Sequence, residues 1–210
     1  LAILTSINIG QAQTIPTKKA KTGIYKMPVA AAVVTNLGLD GDAVLDRKHH
    51  GGVDQAIYLY FEDDYQFWRK ELDAEVRPGT FGENITIDDV TGMDVAVGDR
   101  FTIGPVLLEV TSHRTPCMTL ALRMGDPKFL KRFHKSGRSG AYCRVITPGN
   151  ITSSDPVTYQ PFAGPRITVA QLMAQDGNRN IDPDFMRRAL EAPVHHKMRT
   201  DYENRLARLF

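Results

Sequence analysis

What this 210-residue sequence lacks narrows its function before any motif is read. No apolar run approaches the roughly 18 residues of a membrane-spanning helix, so no membrane is expected among its partners. Charge of one sign is not in excess: 26 Lys and Arg stand against 24 Asp and Glu, a formal net charge of +2. A binder of polyanions needs a larger basic surplus, so no nucleic acid polymer is expected as a partner either. There are only two cysteines, Cys117 and Cys143. A disulfide framework needs more, and reduced thiols in a cytoplasm are the expectation. The Gly-x-Ser-x-Gly elbow of hydrolases is missing, and so are the Rossmann and Walker glycine patterns. No Cys-x-x-Cys or His-x-x-x-His accompanies His49 and His50, or His195 and His196, which argues against zinc. The opening LAILTSINIG is apolar without a charged lead and reads as a first strand rather than a signal peptide.

What is present is mostly strand-like up to about residue 160. AIYLYF and VLLEVTSH have strand composition, AYCRVITPG alternates and then stops at Pro148-Gly149, and Gly98 and Gly104 punctuate a hairpin. Many short strands with glycine breaks predict a closed or half-closed β-barrel with inserted helices. In EDDYQFWRKEL, Tyr65, Trp68 and Leu72 share one helical face. DPKFLKRFHKSG offers Asp126 as N-cap, Pro127 at the first helical position and Gly137 as the stop. After GPRI the pattern turns helical. Thr168 and Gln171 form a capping box ahead of Gly177, Asp182-Pro183 opens a second helix, and Val194, Met198, Tyr202, Leu206 and Leu209 form an apolar stripe on a third. The expected division is a mainly β barrel domain over 1–163 and a three-helix C-terminal domain over 164–210.

The chemistry concentrates in VTSHRTPCMTLALRMGDP. A strand ends near His113. Thr115 is then the expected N-cap, Pro116 the first helical residue, Cys117 a member of the first turn, and Gly125 the stop. A first-turn thiol meets unpaired N–H groups and the positive end of the helix dipole, which lowers its pKa from ~8.5 toward ~3.5–7.5. Arg114 and His113 add positive potential. Such a thiolate is a nucleophile or a soft-metal ligand. The competing reading of Cys117 is a small buried hydrophobe, and for Cys143, inside an alternating strand, core packing is the expectation. Three basic loops complete the pattern: KKAKTGIYK with Lys21 and Lys26, RKHHGG with Arg47, Lys48, His49, His50, Gly51 and Gly52, and GRSG with Arg138. Cations beside glycines suit an anion, and Glu83 with Asn84 in FGENIT can hydrogen-bond the edge of a heterocycle.

KTGIYKMPV, GLDGDAVLDRKHHGGVDQAIYLY, FGENIT, VGDRFTIG, RTPCMTL and SGRSGAYCRVITPG occur in this order. Together they resemble the MOSC domain family, named for the C-terminal domain of molybdenum cofactor sulfurase, and within it the stand-alone YiiM-like branch with a three-α C-terminal domain. The resemblance implies a β-barrel holding a molybdenum cofactor (Mo-molybdopterin), with Cys117 as the protein's sulfur ligand to molybdenum. The basic loops suit such a cofactor's phosphate and Glu83 with Asn84 its pterin, so the cofactor-binding candidates are Lys21, Lys26, Arg47, Lys48, His49, His50, Gly51, Gly52, Glu83, Asn84, Arg114, Cys117 and Arg138. It further implies reduction of small N-hydroxylated bases such as 6-hydroxylaminopurine to the amine, with electrons from a separate reductase, and it is compatible with a homodimer. Cys117 and His50 are the catalytic candidates, and His49 and His113 are further possible proton donors. Two other functions use the same cysteine: a cofactor carrier without turnover, and a persulfide sulfur transferase.

Overall fold

The computed structural model describes residues 2–15, 20–45, 50–153 and 155–209. Strands β1 (Ala2–Gly10), β2 (Gln13–Thr14), β3 (Lys21–Thr22), β4 (Lys26–Val29), β5 (Ala31–Thr35) and β6 (Gly38–Leu39) come first. A βαβ unit follows, β7 (Ile57–Phe61), helix α1 (Glu62–Leu72) and β8 (Ile85–Asp88), its two strands parallel as such a crossover requires. Next come β9 (Arg100–Ile103), β10 (Val106–His113), α2 (Met118–Met124), α3 (Phe129–Ser136), β11 (Ala141–Thr147), β12 (Gly149–Thr152) and β13 (Pro156–Gln160). The chain ends in α4 (Val169–Met173), α5 (Pro183–Glu191) and α6 (His196–Ala207). Among the described residues no helix is long and apolar enough to cross a membrane.

Seven strands close into a barrel in the order β1-β13-β9-β10-β11-β7-β8 and back to β1, with β4 added beside the second half of β1. The β1–β8 register shifts between Leu4 and Ser6. Such a bulge bends a strand, and here β1 pairs with β13 through Ala2 and Ile3 and with β4 from Ile7 onward. The fold is therefore mainly β with helices, as the strand and glycine pattern predicts.

Alternation along the strands divides the barrel's inside from its outside. Ile57, Leu59 and Phe61 of β7 pack inward with Ile85, Ile87, Ala141 and Cys143. Tyr58, Tyr60 and Tyr142 face outward, into a second core with Tyr65, Trp68, Phe81, Phe129 and Phe133 from the covering helices and loops. Trp68 donates its indole N–H to the Tyr60 hydroxyl at 2.7 Å and stacks on Phe133. Truncating Trp68 to alanine would cost about 3–5 kcal/mol. Cys143 is fully buried in the inner core, where the strand pattern puts it.

Several helix ends differ from expectation. Cys117 is itself the N-cap of α2, because Thr115 turns its hydroxyl to Asp176 instead. Helix α3 begins at Phe129, after a turn in which Asp126 accepts from the Lys128 amide. Gly125 and Gly137 end their helices in left-handed conformation, and the Thr168/Gln171 capping box and the Asp182-Pro183 start are formed as expected. Helix α4 stops at Met173, short of Gly177, and Leu209 lies past α6, half exposed to solvent. Val169 of α4 packs in the inner core and Met173 in the outer one, while Leu172 joins the core of the C-terminal helices.

Candidate functional site

A cavity of about 280 Å³ opens on the barrel's outer face. Its floor is made by outward residues of the central strands, Tyr58 and Tyr142, with Asn84 just ahead of β8. Its walls are residues 20–24 with Lys26, residues 42–45, and His50, Gly51, Gln55 and Ala56, and the segment that leads from β10 into α2 contributes Arg114, Cys117 and Thr119. The same alternation that fills the lumen with aliphatic side chains therefore puts the polar cavity outside it.

Cys117 is partly exposed on this wall. Burial by itself raises its thiol pKa. A hydrogen bond to His50, the charges of Arg114 and His50, and the Leu120 amide in the first turn of α2 outweigh burial and bring the thiol to about 6. At neutral pH it is mainly thiolate. Arg114 is 4% exposed. Its guanidinium lies over the Tyr58 ring at 5.4 Å and the Phe133 ring at 5.8 Å. Its Nη1 is buried without a protein acceptor. A native fold rarely leaves a buried charged donor unpaired, since the penalty exceeds about 1–3 kcal/mol. This nitrogen is a donor left free for an anion or the acceptor edge of a polar ligand.

Opposite stands a second polar group. Lys26 and Asp42 are both buried and ion-paired. Burial pulls the lysine's pKa down, and Asp42 opposes that pull. Asn84 donates to the same Asp42 oxygen at 2.9 Å and accepts from the Tyr58 amide at 3.2 Å, tying the pair to the floor. Breaking such a pair by removing one member costs about 3–5 kcal/mol.

Of the residues expected at the site, Lys21, Lys26, His50, Gly51, Asn84, Arg114 and Cys117 line this one cavity. Arg47, Lys48 and His49 lie outside the described residues. Three expectations are corrected. Glu83 is fully buried away from the cavity, where it accepts from the Tyr65 hydroxyl, the Gly79 amide and Thr86. Arg138 is held by Asp64 at 2.6 Å and Asp63 at 3.2 Å, over the Phe67 ring, because the acidic first turn of α1 draws it. Gly52 does not line the cavity either. Its φ of 92°, like the 83° of Gly51, shows that these glycines shape the loop. Sequence reasoning missed Asp42, Tyr58 and Tyr142. Asp42 could have been suspected as a carboxylate in a glycine-rich loop, and the tyrosines as the outward parity of apolar strands.

A further cluster lies behind this wall. Asp54, His195 and His196 bring metal-ligating atom types within 4.8 Å of one another. Those atoms are already engaged. Asp54 pairs with Arg144 at 2.9 Å and with His196 Nδ1 at 2.8 Å, and His195 Nδ1 accepts from the Lys197 amide at 3.0 Å. Burial, only partly offset by Asp54, pushes His195 down to about 4, so it is neutral at pH 7. The group acts as a clasp between α6 and the turn after Gly52.

Comparison with known proteins finds relatives in sequence and in structure. The family model of the MOSC domain matches residues 46–158. Protein YiiM of Escherichia coli (strain K12) is 30% identical over 188 residues, covering 87% of this chain and 83% of that protein. A protein of Gibberella moniliformis named "Reductase" is 32% identical over 159 residues, 72% of this chain but only 28% of that longer protein. The crystal structure of YiiM from Geobacillus stearothermophilus superposes with a TM-score of 0.80 at 27% identity, covering 98% of this chain and 100% of that one. The chain belongs to the MOSC domain family and is a YiiM-like member of it.

Proposed function

We propose that this chain holds a molybdenum cofactor in the outer cavity and reduces small N-hydroxylated bases, of the 6-hydroxylaminopurine type, to the amine. One observation carries the reading: a thiol titrating near 6 shares its cavity with a buried guanidinium whose Nη1 lacks a protein partner. The residues fit the group. A soft metal favours a thiolate, which Cys117 supplies, and a phosphate-bearing pterin favours cations, which Lys21, Lys26 and Arg114 supply. When bound, such a group supplies two-electron redox chemistry at a metal.

The chain's own residues then divide the remaining work. Arg114, stacked on aromatic rings, is fixed in place before a ligand arrives, and so is Lys26 through Asp42. Ile15, Ile24 and Val44 give the cavity apolar walls that keep water from a ring system. His50, at the Cys117 sulfur, holds a proton where substrate protonation is needed. His113 is less suited, since its Nε2 is engaged by Asp176 at 2.9 Å. The reaction takes two electrons and two protons per N–OH group, breaks the N–O bond and releases water. A separate reductase supplies the electrons. The relative named "Reductase" supports a reductive role.

The test is elemental analysis of cofactor-loaded protein combined with reduction of 6-hydroxylaminopurine by a chemical electron donor. Wild type should retain molybdenum and turn over, and Cys117→Ser should lose both while remaining folded. Molybdenum without turnover would favour a carrier. Persulfide on Cys117 with no molybdenum would favour sulfur transfer.

A further inference from the structure

The segment that delivers Cys117 is gripped from behind at alternate residues, Thr111, His113 and Thr115, by groups of the C-terminal helical part of the chain. The Thr111 carbonyl accepts from the His195 amide at 3.0 Å. His113 Nε2 meets Asp176 Oδ1 at 2.9 Å, and the Thr115 hydroxyl donates to Asp176 Oδ2 at 3.2 Å. Between them, Arg114 points the other way and lines the cavity. Residues 114–117 belong to no helix or strand, so backbone ladders do not fix them. Asp176 is itself well anchored. It follows α4 directly, its amide bonds the Met173 carbonyl, and Val169 and Met173 embed that helix in both barrel cores. His134 of α3 adds a third, longer contact to the carboxylate at 3.9 Å.

We propose that Asp176 is a positioning residue for Cys117, and that the C-terminal helical part serves as the back plate of the site, pinning His113 and Thr115 so that the thiol meets His50 and Arg114. The inference rests on Cys117 being the working thiol of the proposed function. It needs no bound metal, and it gives the C-terminal helices a role in the chemistry that does not require them to touch a ligand.

The test uses the full chain without cofactor. Alkylation of Cys117 by iodoacetamide at pH 6 is followed by mass spectrometry, with buried Cys143 as the internal control for folding. Asp176→Ala should slow alkylation of Cys117 several-fold, because a thiol moved from its cationic partners is less ionised. Asp176→Asn keeps an oxygen for His113 and an amide for Thr115, and should stay within about twofold of wild type. Amide exchange over residues 114–121 should rise in the alanine variant alone, with the barrel strands unchanged. Simple destabilisation would do the opposite to the thiol, exposing it and speeding its modification. Faster or unchanged alkylation in Asp176→Ala, or an asparagine variant as slow as the alanine one, would overturn the proposal. If Asp176→Ala does not fold, Thr115→Val removes one pin at nearly constant volume and is read the same way. A wild-type chain that never retains molybdenum would defeat the proposed function and leave this result standing.

Discussion

Replacing His50 by alanine gives the sharpest check on the electrostatics of the site. In the folded chain the Cys117 thiol sits at about 6, against 9.0 for the unperturbed group. A difference of that size corresponds to about 4 kcal/mol favouring the thiolate. His50 contributes twice, as hydrogen-bond donor to the sulfur and as a nearby charge, while burial works against both. Thiolate fraction and intrinsic nucleophilicity oppose each other, since nucleophilicity falls with pKa at a Brønsted slope of about 0.4–0.5. A thiol at about 6 is therefore roughly 20-fold faster than an ordinary one at pH 6, yet roughly 15-fold slower at pH 9.5. Two rate profiles that cross are hard to produce by accessibility alone. The assay is the second-order alkylation rate of Cys117 in cofactor-free protein from pH 4.5 to 9.5. Wild type should show a midpoint near 6 and a low plateau. His50→Ala should move the midpoint up by at least about one unit and raise the plateau. A wild-type midpoint above 8, or an unmoved midpoint in His50→Ala, would refute the reasoning.

Three further outcomes follow from the same structure. Because Cys117 is more acidic folded than unfolded, the folded state holds fewer protons between about pH 6 and 9 and gains stability as pH rises there. That gain is lost as pH falls through about 6, and urea titrations of Cys117→Ser should show the pH dependence flattened. Cys143→Ser puts a hydroxyl into the inner core and should cost about 1–3 kcal/mol in urea unfolding without altering the Cys117 alkylation profile. Arg138→Ala strips the partner from Asp64, whose carboxyl burial and Asp63 already push up to about 7. It should lower the melting temperature most above pH 7, where the carboxyl must ionise, and leave the thiol profile unchanged.

Much of this was legible in the sequence because it is local. The alternation in AIYLYF and AYCRV separates barrel lumen from outer face residue by residue, and Gly125 and Gly137 end their helices where they stand in the chain. Errors arose where a distant partner changed a local preference. Thr115 is a good N-cap residue, but Asp176 takes its hydroxyl across 61 positions, and the cap passes to Cys117. Glu83 and Asn84 are adjacent in an extended stretch, so only one of them can face the cavity. Arg138 sits in a basic loop, yet Asp63 and Asp64 lie within reach from the other side of a parallel crossover. Lys26 and Asp42 meet only because the chain folds back between them.

The closure of the barrel has a consequence for how the molecule is made. Ala2 and Ile3 pair with Val157 and Pro156, so the first strand meets one of its neighbours only after almost the whole barrel has been synthesised. Pairings of such long sequence separation close large loops before they are rewarded, which makes folding slow. During synthesis β1 presents an open edge to other chains, a hazard for aggregation that lasts until β13 arrives. The carboxylate that grips the cysteine segment emerges later still, so a ribosome-bound chain holds its barrel strands before it holds an aligned thiol.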